Sequence, residues 1–87
     1  MKIEFHKNFI KQFSKLNKKE KKRILDTLKL FEVNPYLEQL KNHQLKGDMA
    51  KLRSINVGGD IRLHYYEKEK NHVIVIFVAI GTHSQLY

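Results

Sequence analysis

A histidine that directly follows a long apolar run is the first residue of this chain with clear chemical potential. The run Val73 to Ile80 has the length and composition of a buried strand, and Gly81-Thr82-His83-Ser84-Gln85-Leu86-Tyr87 comes after it. Imidazole has an ordinary pKa near neutrality, so His83 at the exit of a rigid strand is suited to act as a general acid or base. The alternative is a local turn, in which Thr82 or Ser84 bonds to nearby backbone groups.

Further charged and titratable groups come from one predicted hairpin. Arg53, Asp60, Arg62 and His64 all lie on it, so we expect them to be close together. The two arginines could bind a phosphate and stabilise the charge of a phosphoryl transition state, or they could pair with Asp60 or Glu67 across strands. Asp60 follows two glycines, where an Asx turn is an alternative explanation. His64 alternates with core positions, which predicts an exposed face for it.

The other histidines have less support from their neighbours. His43 lies in the segment Asn42-His43-Gln44-Leu45, which we expect to be a loop with Leu45 docked in the core. His6 and His72 have no neighbouring groups that suggest chemistry, so both are expected at the surface.

Several common chemistries lack their sequence signatures. The chain has no HExxH or CxxC motif, no GxxxxGK loop and no GxSxG elbow, so we expect neither a metal nor a small-molecule cofactor. A basic sheet with histidines and acids suits metal-free RNA cleavage. In that reaction one group takes the 2′-hydroxyl proton, cations stabilise the phosphorane, and another group protonates the 5′-oxygen.

Composition indicates one small domain with an anionic partner. Lys and Arg number 17 against nine Asp and Glu, for a net charge of +8, which favours binding to nucleic acid, to an acidic protein or to both. Many of these cations lie between residues 7 and 23, where Glu20 is the single acid. Cysteine, an apolar N-terminal segment and a membrane-length apolar run are all absent from the sequence. We therefore expect a cytoplasmic protein with no secretory signal and no membrane contact.

The elements that must position these groups follow from the periodicity of the chain. Ile3 and Phe5 alternate with polar residues, as in a short strand. Helical spacing then predicts two helices, the second capped by Asn17 and ended by Asn34-Pro35. Alternation predicts two strands joined by Gly58-Gly59-Asp60, and the apolar run predicts a strand in the middle of a sheet. The order β-α-α-β-β-β gives an α+β fold, with a helical hairpin packed on a mostly antiparallel four-stranded sheet.

The motifs of the second half resemble those of a known protein family. They are Asn42-His43-Gln44-Leu45-Lys46-Gly47-Asp48, Leu52-Arg53-Ser54-Ile55-Asn56-Val57, Gly59-Asp60 and Gly81-Thr82-His83-Ser84-Gln85-Leu86-Tyr87. Together with the basic helical hairpin, they look like the RelE/ParE toxin superfamily, and most closely the YafQ-like branch of type II toxin–antitoxin systems. The resemblance spans the whole chain and implies a single RelE-like toxin domain, residues 1–87.

The resemblance implies a toxin that cleaves messenger RNA in the ribosomal A site and leaves a 2′,3′-cyclic phosphate and a 5′-hydroxyl. It implies catalytic roles for His83, Asp60 and His43. His83 is the favoured general acid. Asp60 is a candidate base or a partner that orients a histidine, so either His43 or Asp60 takes the proton. The implied partners are the ribosome, its mRNA and a cognate antitoxin protein that is acidic where it touches the toxin.

The same resemblance implies a set of substrate-binding residues. Arg53 would hold a phosphate, and Tyr87 would stack on a base or position the scissile phosphate. We count Arg62 and Lys46 with them, because both are cations within or beside the motifs.

Two positions depart from the family pattern. Asn56 stands where the best-studied branch has a second histidine, and Ala79 stands where it has an arginine. Arg62, on the neighbouring strand, is our expected replacement for that missing charge. These departures leave two alternatives open: a non-enzymatic ParE-like toxin that inhibits a protein target such as DNA gyrase, and a remnant that only binds its antitoxin.

Overall fold

Two helices and a five-stranded sheet form the part of the protein that the computed structural model describes, residues 1–82. The helices are α1 (Lys7–Ser14) and α2 (Lys18–Val33), and the strands are β1 (Lys2–Phe5), β2 (His43–Gln44), β3 (Arg53–Gly58), β4 (Ile61–Glu69) and β5 (Ile74–Thr82). Short 3₁₀ turns, Glu38–Leu40 and Gly47–Met49, flank β2. His83 and Tyr87, two of the predicted site residues, lie outside the described residues.

The strands lie in the order β1-β5-β4-β3-β2, with β1 parallel to β5 and the other neighbours antiparallel. The α+β class, the helical hairpin and the interior position of β5 in the sheet are therefore confirmed. The sheet has five strands rather than the expected four, because His43 and Gln44 pair with Ser54 and Arg53 of β3 instead of forming a loop. A pair of residues is too short to show the alternation that marks a strand in a sequence.

Local hydrogen bonds set the ends of both helices. His6 Nδ1 accepts from the backbone N–H of Asn8 at 3.0 Å and caps α1. Asn17 and Glu20 exchange side-chain-to-backbone bonds of 2.8 and 3.2 Å, a capping box that confirms the predicted start of α2. α2 ends at Val33, before the extended residue that precedes proline. Neither helix, nor any other within residues 1–82, is long and apolar enough to cross a membrane.

One face of the sheet packs against the helices. The buried apolar side chains that meet there are Phe9, Ile24, Leu28, Phe31, Leu40, Ile55, Leu63, Tyr65, Val75, Phe77 and Ile80. Phe31 lies at the centre, with its ring edge-on to Tyr65 at 4.9 Å and to Phe77 at 5.2 Å between centroids. Leu45 is also buried, as its motif predicted. Because strand residues alternate between faces, the residues between these core positions lie on the opposite, open face of the sheet.

Candidate active site

The open face of the sheet brings together histidines from two strands. His43 of β2 pairs with Ser54 of β3, Ser54 pairs with His64 of β4, and His64 pairs with Ala79 of β5. Directly opposed residues have Cβ atoms about 4.5–5.5 Å apart. Two imidazoles therefore lie on either side of one serine, in a single row across the sheet.

His43 is exposed and has a defined tautomer in its neutral form. Its Nδ1 lies 2.9 Å from the carbonyl oxygen of Lys41. A carbonyl only accepts, so Nδ1 carries the hydrogen and Nε2 keeps its lone pair. The chain reaches this geometry because Lys41 adopts a left-handed backbone conformation, with φ of 48°, at the end of the preceding 3₁₀ turn. The arrangement gives His43 a nitrogen that is suited to taking a proton.

His64 is buried, and the expectation of an exposed face for it was wrong. The residue is only 1% exposed, because alternation fixes the face of a side chain but not what covers that face. Burial, with a smaller effect from the charge of His43, lowers the pKa of His64 below its ordinary 6.5. Ser54 beside it is also buried, and within residues 1–82 its Oγ has no hydrogen-bond partner.

The row nearer the hairpin turn contains Arg62 opposite Asn56. The Nη1 of Arg62 donates to Asn56 Oδ1 at 2.6 Å and to the carbonyl oxygen of Ile61 at 3.1 Å. These bonds fix a guanidinium on the open face, two residues along β4 from His64. Asp60 is exposed in the adjacent turn. Within the described residues it forms no ion pair with Arg62 or with Arg53.

Arg53 lies on the opposite side of the sheet from Arg62, so the hairpin does not group the two arginines as expected. It alternates with Ser54 and shares the helix side with Ile55. Its Nε donates to Asn42 Oδ1 at 2.7 Å, and its guanidinium lies over the ring of Tyr36 at 5.5 Å. Arg53 therefore braces the segment that leads into His43 rather than facing the open side.

A buried hydrogen-bond chain continues from this brace. Asn42 Nδ2 donates to the hydroxyl of Tyr65 at 2.6 Å, and that hydroxyl lies 2.8 Å from Nε2 of His72. Burial above all raises the pKa of Tyr65 to about 12, so the hydroxyl keeps its hydrogen at neutral pH. The tautomer of His72 with its hydrogen on Nδ1 lets the hydroxyl, which accepts from Asn42, donate to Nε2.

The far end of this chain contains Glu67. Its Oε2 accepts from the backbone N–H of His72 at 2.9 Å and lies 3.6 Å from the ring Nδ1. His72 was expected at the surface, but it is 7% exposed and packs against Phe31 and Tyr36. Burial lowers the pKa of His72, while the charge of Glu67 acts in the opposite direction. A neutral His72 matches the hydrogen-bond directions of the chain.

Lys46 lies beside the exposed histidine. It is itself exposed and lines a cleft of about 330 Å³ together with His43, Gln44, Leu45 and Met49. Among residues 1–82 no group of three or more His, Cys, Asp and Glu side chains is placed to hold a metal ion. The described part of the site thus contains the exposed imidazole of His43, Lys46 in the same cleft, and Arg62 two strands away on the same face of the sheet.

Two residues with structural importance for the site had no signal in the sequence. Asn42 was quoted only as part of a motif, and Ser54 only as an alternating strand residue. Their importance depends on the register of β2 against β3, which a strand this short does not reveal.

Comparison with known proteins supports the resemblance found in the sequence. The family model described as a bacterial toxin of type II toxin–antitoxin system, YafQ, matches residues 1–87. The structure of YafQ from E. coli strain BL21(DE3) superposes with a TM-score of 0.78 at 25% identity and covers 98% of this chain and 96% of that one. No significantly similar sequence was found among curated proteins.

Two further structures have the same fold. The YoeB/ParE toxin from Agrobacterium tumefaciens has a TM-score of 0.77 at 19% identity, over 95% of this chain and 99% of that one. The E. coli DinJ–YafQ toxin–antitoxin complex gives 0.71 at 27% identity, over 98% and 94%. The match to the family model over the whole length decides the assignment. This chain belongs to the YafQ family of bacterial toxins of type II toxin–antitoxin systems.

Proposed function

We propose that this toxin is a ribosome-dependent endoribonuclease that cleaves messenger RNA without a metal. One observation carries the proposal. His43 is exposed on the open face, and because its Nδ1 is hydrogen-bonded to the carbonyl oxygen of Lys41, the neutral ring keeps its lone pair on Nε2. A general base needs an accessible ring nitrogen that carries a lone pair and is held in one orientation. Membership of the YafQ family supports the same reaction.

The reaction is an attack by the 2′-hydroxyl on the adjacent phosphorus. His43 Nε2 takes the hydroxyl proton, and Arg62 and Lys46 stabilise the extra negative charge of the phosphorane. His83 then protonates the departing 5′-oxygen, which leaves a 2′,3′-cyclic phosphate and a 5′-hydroxyl. Tyr87 stacks on a base of the message. Asp60, exposed in the turn beside Arg62, is the alternative base.

The basic outer side of the helical hairpin suits binding to ribosomal RNA. Its exposed lysines include Lys7, Lys11, Lys18, Lys19 and Lys22. Cations that contact phosphates release counterions, so the affinity for the ribosome should fall steeply as salt rises. Replacing two of these lysines by glutamine should weaken binding and make its salt dependence shallower.

We also propose a cognate antitoxin as a protein partner. The similar E. coli YafQ structure is a complex with DinJ, described as a toxin–antitoxin complex. On this chain, Phe5, Ile10 and Leu25 are 41%, 57% and 50% exposed along a groove between α1 and α2. Exposed apolar side chains bordered by lysines suit an acidic, amphipathic segment of a partner.

The test is to express the protein from a tight promoter and map the 5′ ends of messenger RNA. We expect new 5′-hydroxyl ends at in-frame codon positions, and their loss in His43→Gln and in His83→Ala. His6→Asn is the matched control, because it removes an exposed histidine but keeps a side chain that can cap α1.

Two outcomes would contradict the proposal. Growth arrest with intact messages would favour the ParE-like alternative, a toxin that inhibits a protein target such as DNA gyrase. Full cleavage by His43→Gln, with loss only in Asp60→Asn, would transfer the role of base to Asp60.

A further inference from the structure

The segment between α2 and β2 is anchored through the side chain of Asn42. Its Nδ2 donates to the carbonyl oxygen of Pro35 at 3.0 Å and to the Tyr65 hydroxyl at 2.6 Å. Its Oδ1 accepts from Arg53 Nε at 2.7 Å. One amide therefore joins the end of the helical hairpin to β3 and to β4.

His43 takes its position from the residues on either side of this anchor. Its ring is bonded to the carbonyl of Lys41, one residue before Asn42. Its backbone pairs with Ser54, one residue after Arg53. Both contacts of His43 thus depend on backbone segments next to residues that the Asn42 side chain joins.

The strand that carries His43 is too short to be fixed in place by its own pairing with β3. β2 contains only His43 and Gln44, and a strand of this length adds few ladder bonds to the sheet. Gln44 contributes a bond from its Nε2 to the carbonyl of Ala50 at 2.7 Å, on the far side of His43. On the near side, Leu40 is buried in the core and Asn42 makes three side-chain hydrogen bonds.

We propose that Asn42, braced by Arg53 and Tyr65, is the positioning residue that sets the orientation and tautomer of His43. The inference rests on the proposed cleavage reaction for its catalytic consequence, but not for the geometry itself. It also gives Arg53 a role on the helix side of the sheet, as a brace for Asn42.

Loss of the anchor should affect the chemical step more than substrate binding. Arg62 and Lys46, the cations proposed to hold RNA, do not contact Asn42, so KM in Asn42→Ala should stay within about threefold of the wild-type value. A displacement of about 1 Å at a reacting group lowers the rate by about 100-fold, and we expect a fall of about this size in kcat. Tyr65→Phe, which removes one of the three partners of Asn42, should give a smaller loss.

The decisive measurement is the tautomer of His43, read from the nitrogen-15 chemical shifts of its ring in the full chain. The wild type should show the hydrogen on Nδ1, and Asn42→Ala should show a mixture of the two tautomers. Single-turnover cleavage of mRNA on programmed ribosomes is measured on the same proteins. Asn17→Ala is the control, because it loses a helix-capping amide on α2 and so lowers the Tm without touching this segment.

Each outcome decides one point. A His43 that keeps its hydrogen on Nδ1 in both Asn42→Ala and Tyr65→Phe would overturn the positioning role, whatever the activity. An equal loss of kcat in Asn17→Ala would show that activity follows stability, which would also overturn it. A wild type that does not cleave mRNA, but whose tautomer changes in Asn42→Ala, would refute the proposed function and leave the positioning role intact.

Discussion

The hydroxyl of Tyr65 offers a sharp test of the buried hydrogen-bond chain. Tyr65→Phe keeps the ring against Phe31 and Phe77 and removes only the oxygen. Two hydrogen bonds disappear, from Asn42 at 2.6 Å and to His72 at 2.8 Å. At about 1–1.5 kcal/mol for each bond, the free energy of unfolding should fall by about 2–3 kcal/mol.

The assay is urea unfolding followed by circular dichroism, with wild type and variant measured at the same neutral pH. The midpoint should move to lower urea while the slope stays constant, because the surface exposed on unfolding is unchanged. In thermal unfolding, a domain of this size shifts by about 4–8 °C for each kcal/mol. The loss therefore corresponds to a fall of about 8–24 °C in Tm.

The neighbouring tyrosine provides the control. Tyr66 is half-buried on the other face of β4, and its hydroxyl has no hydrogen bond to the described residues. Tyr66→Phe should change stability by no more than about 0.5 kcal/mol. A Tyr65→Phe variant that unfolds within the same margin would show that the chain from Asn42 to His72 contributes nothing to stability.

The remaining predictions concern other buried polar groups. Burial lowers the pKa of His64 and His72 below 6.5 in the folded state, so the unfolded chain takes up protons first as the pH falls. Their contribution to stability should be complete above pH 6.5 and should decline below it. Urea midpoints measured at about pH 7.5 and pH 5.5 test this expectation. Equal midpoints in the wild type, or an unchanged decline in a variant with both histidines replaced by glutamine, would contradict it. Ser54→Ala should raise the free energy of unfolding by about 1 kcal/mol, because it removes a buried hydroxyl that has no partner among the described residues; a destabilised variant would mean that the hydroxyl is satisfied in solution.

The order of elements was predictable because periodicity and capping are local properties. The alternation of β3 and β4, the capping of α2 by Asn17 and the stop at Pro35 all depend on neighbours a few residues away. Each of them is found in the structure. The apolar run of β5 predicted a strand in the interior of the sheet, and β5 does lie between β1 and β4.

The composition of the site was harder to predict, because it depends on the register between strands and on which residues pack over each side chain. Alternation already placed Arg53 with Ile55 and Arg62 with His64, on opposite faces. The expectation that the two arginines lie together considered only their shared hairpin and not the face of the sheet to which each side chain belongs. The burial of His64 and His72 depends on what packs over them, which no spacing within a strand encodes.

The parallel pairing of β1 with β5 has a consequence for how the protein is made. Lys2 pairs with Ile74 and Phe5 pairs with Phe77. The first described strand therefore cannot pair until the last one has been synthesised. Closing so long a stretch of chain is entropically unfavourable until the pairing itself compensates for it. During synthesis, β3 and β4 leave the ribosome before the strand that joins them to β1. Until then the row that contains His43 lacks its last member, Ala79 of β5. The topology therefore delays completion of the sheet that carries His43 until nearly all of the described chain has been translated.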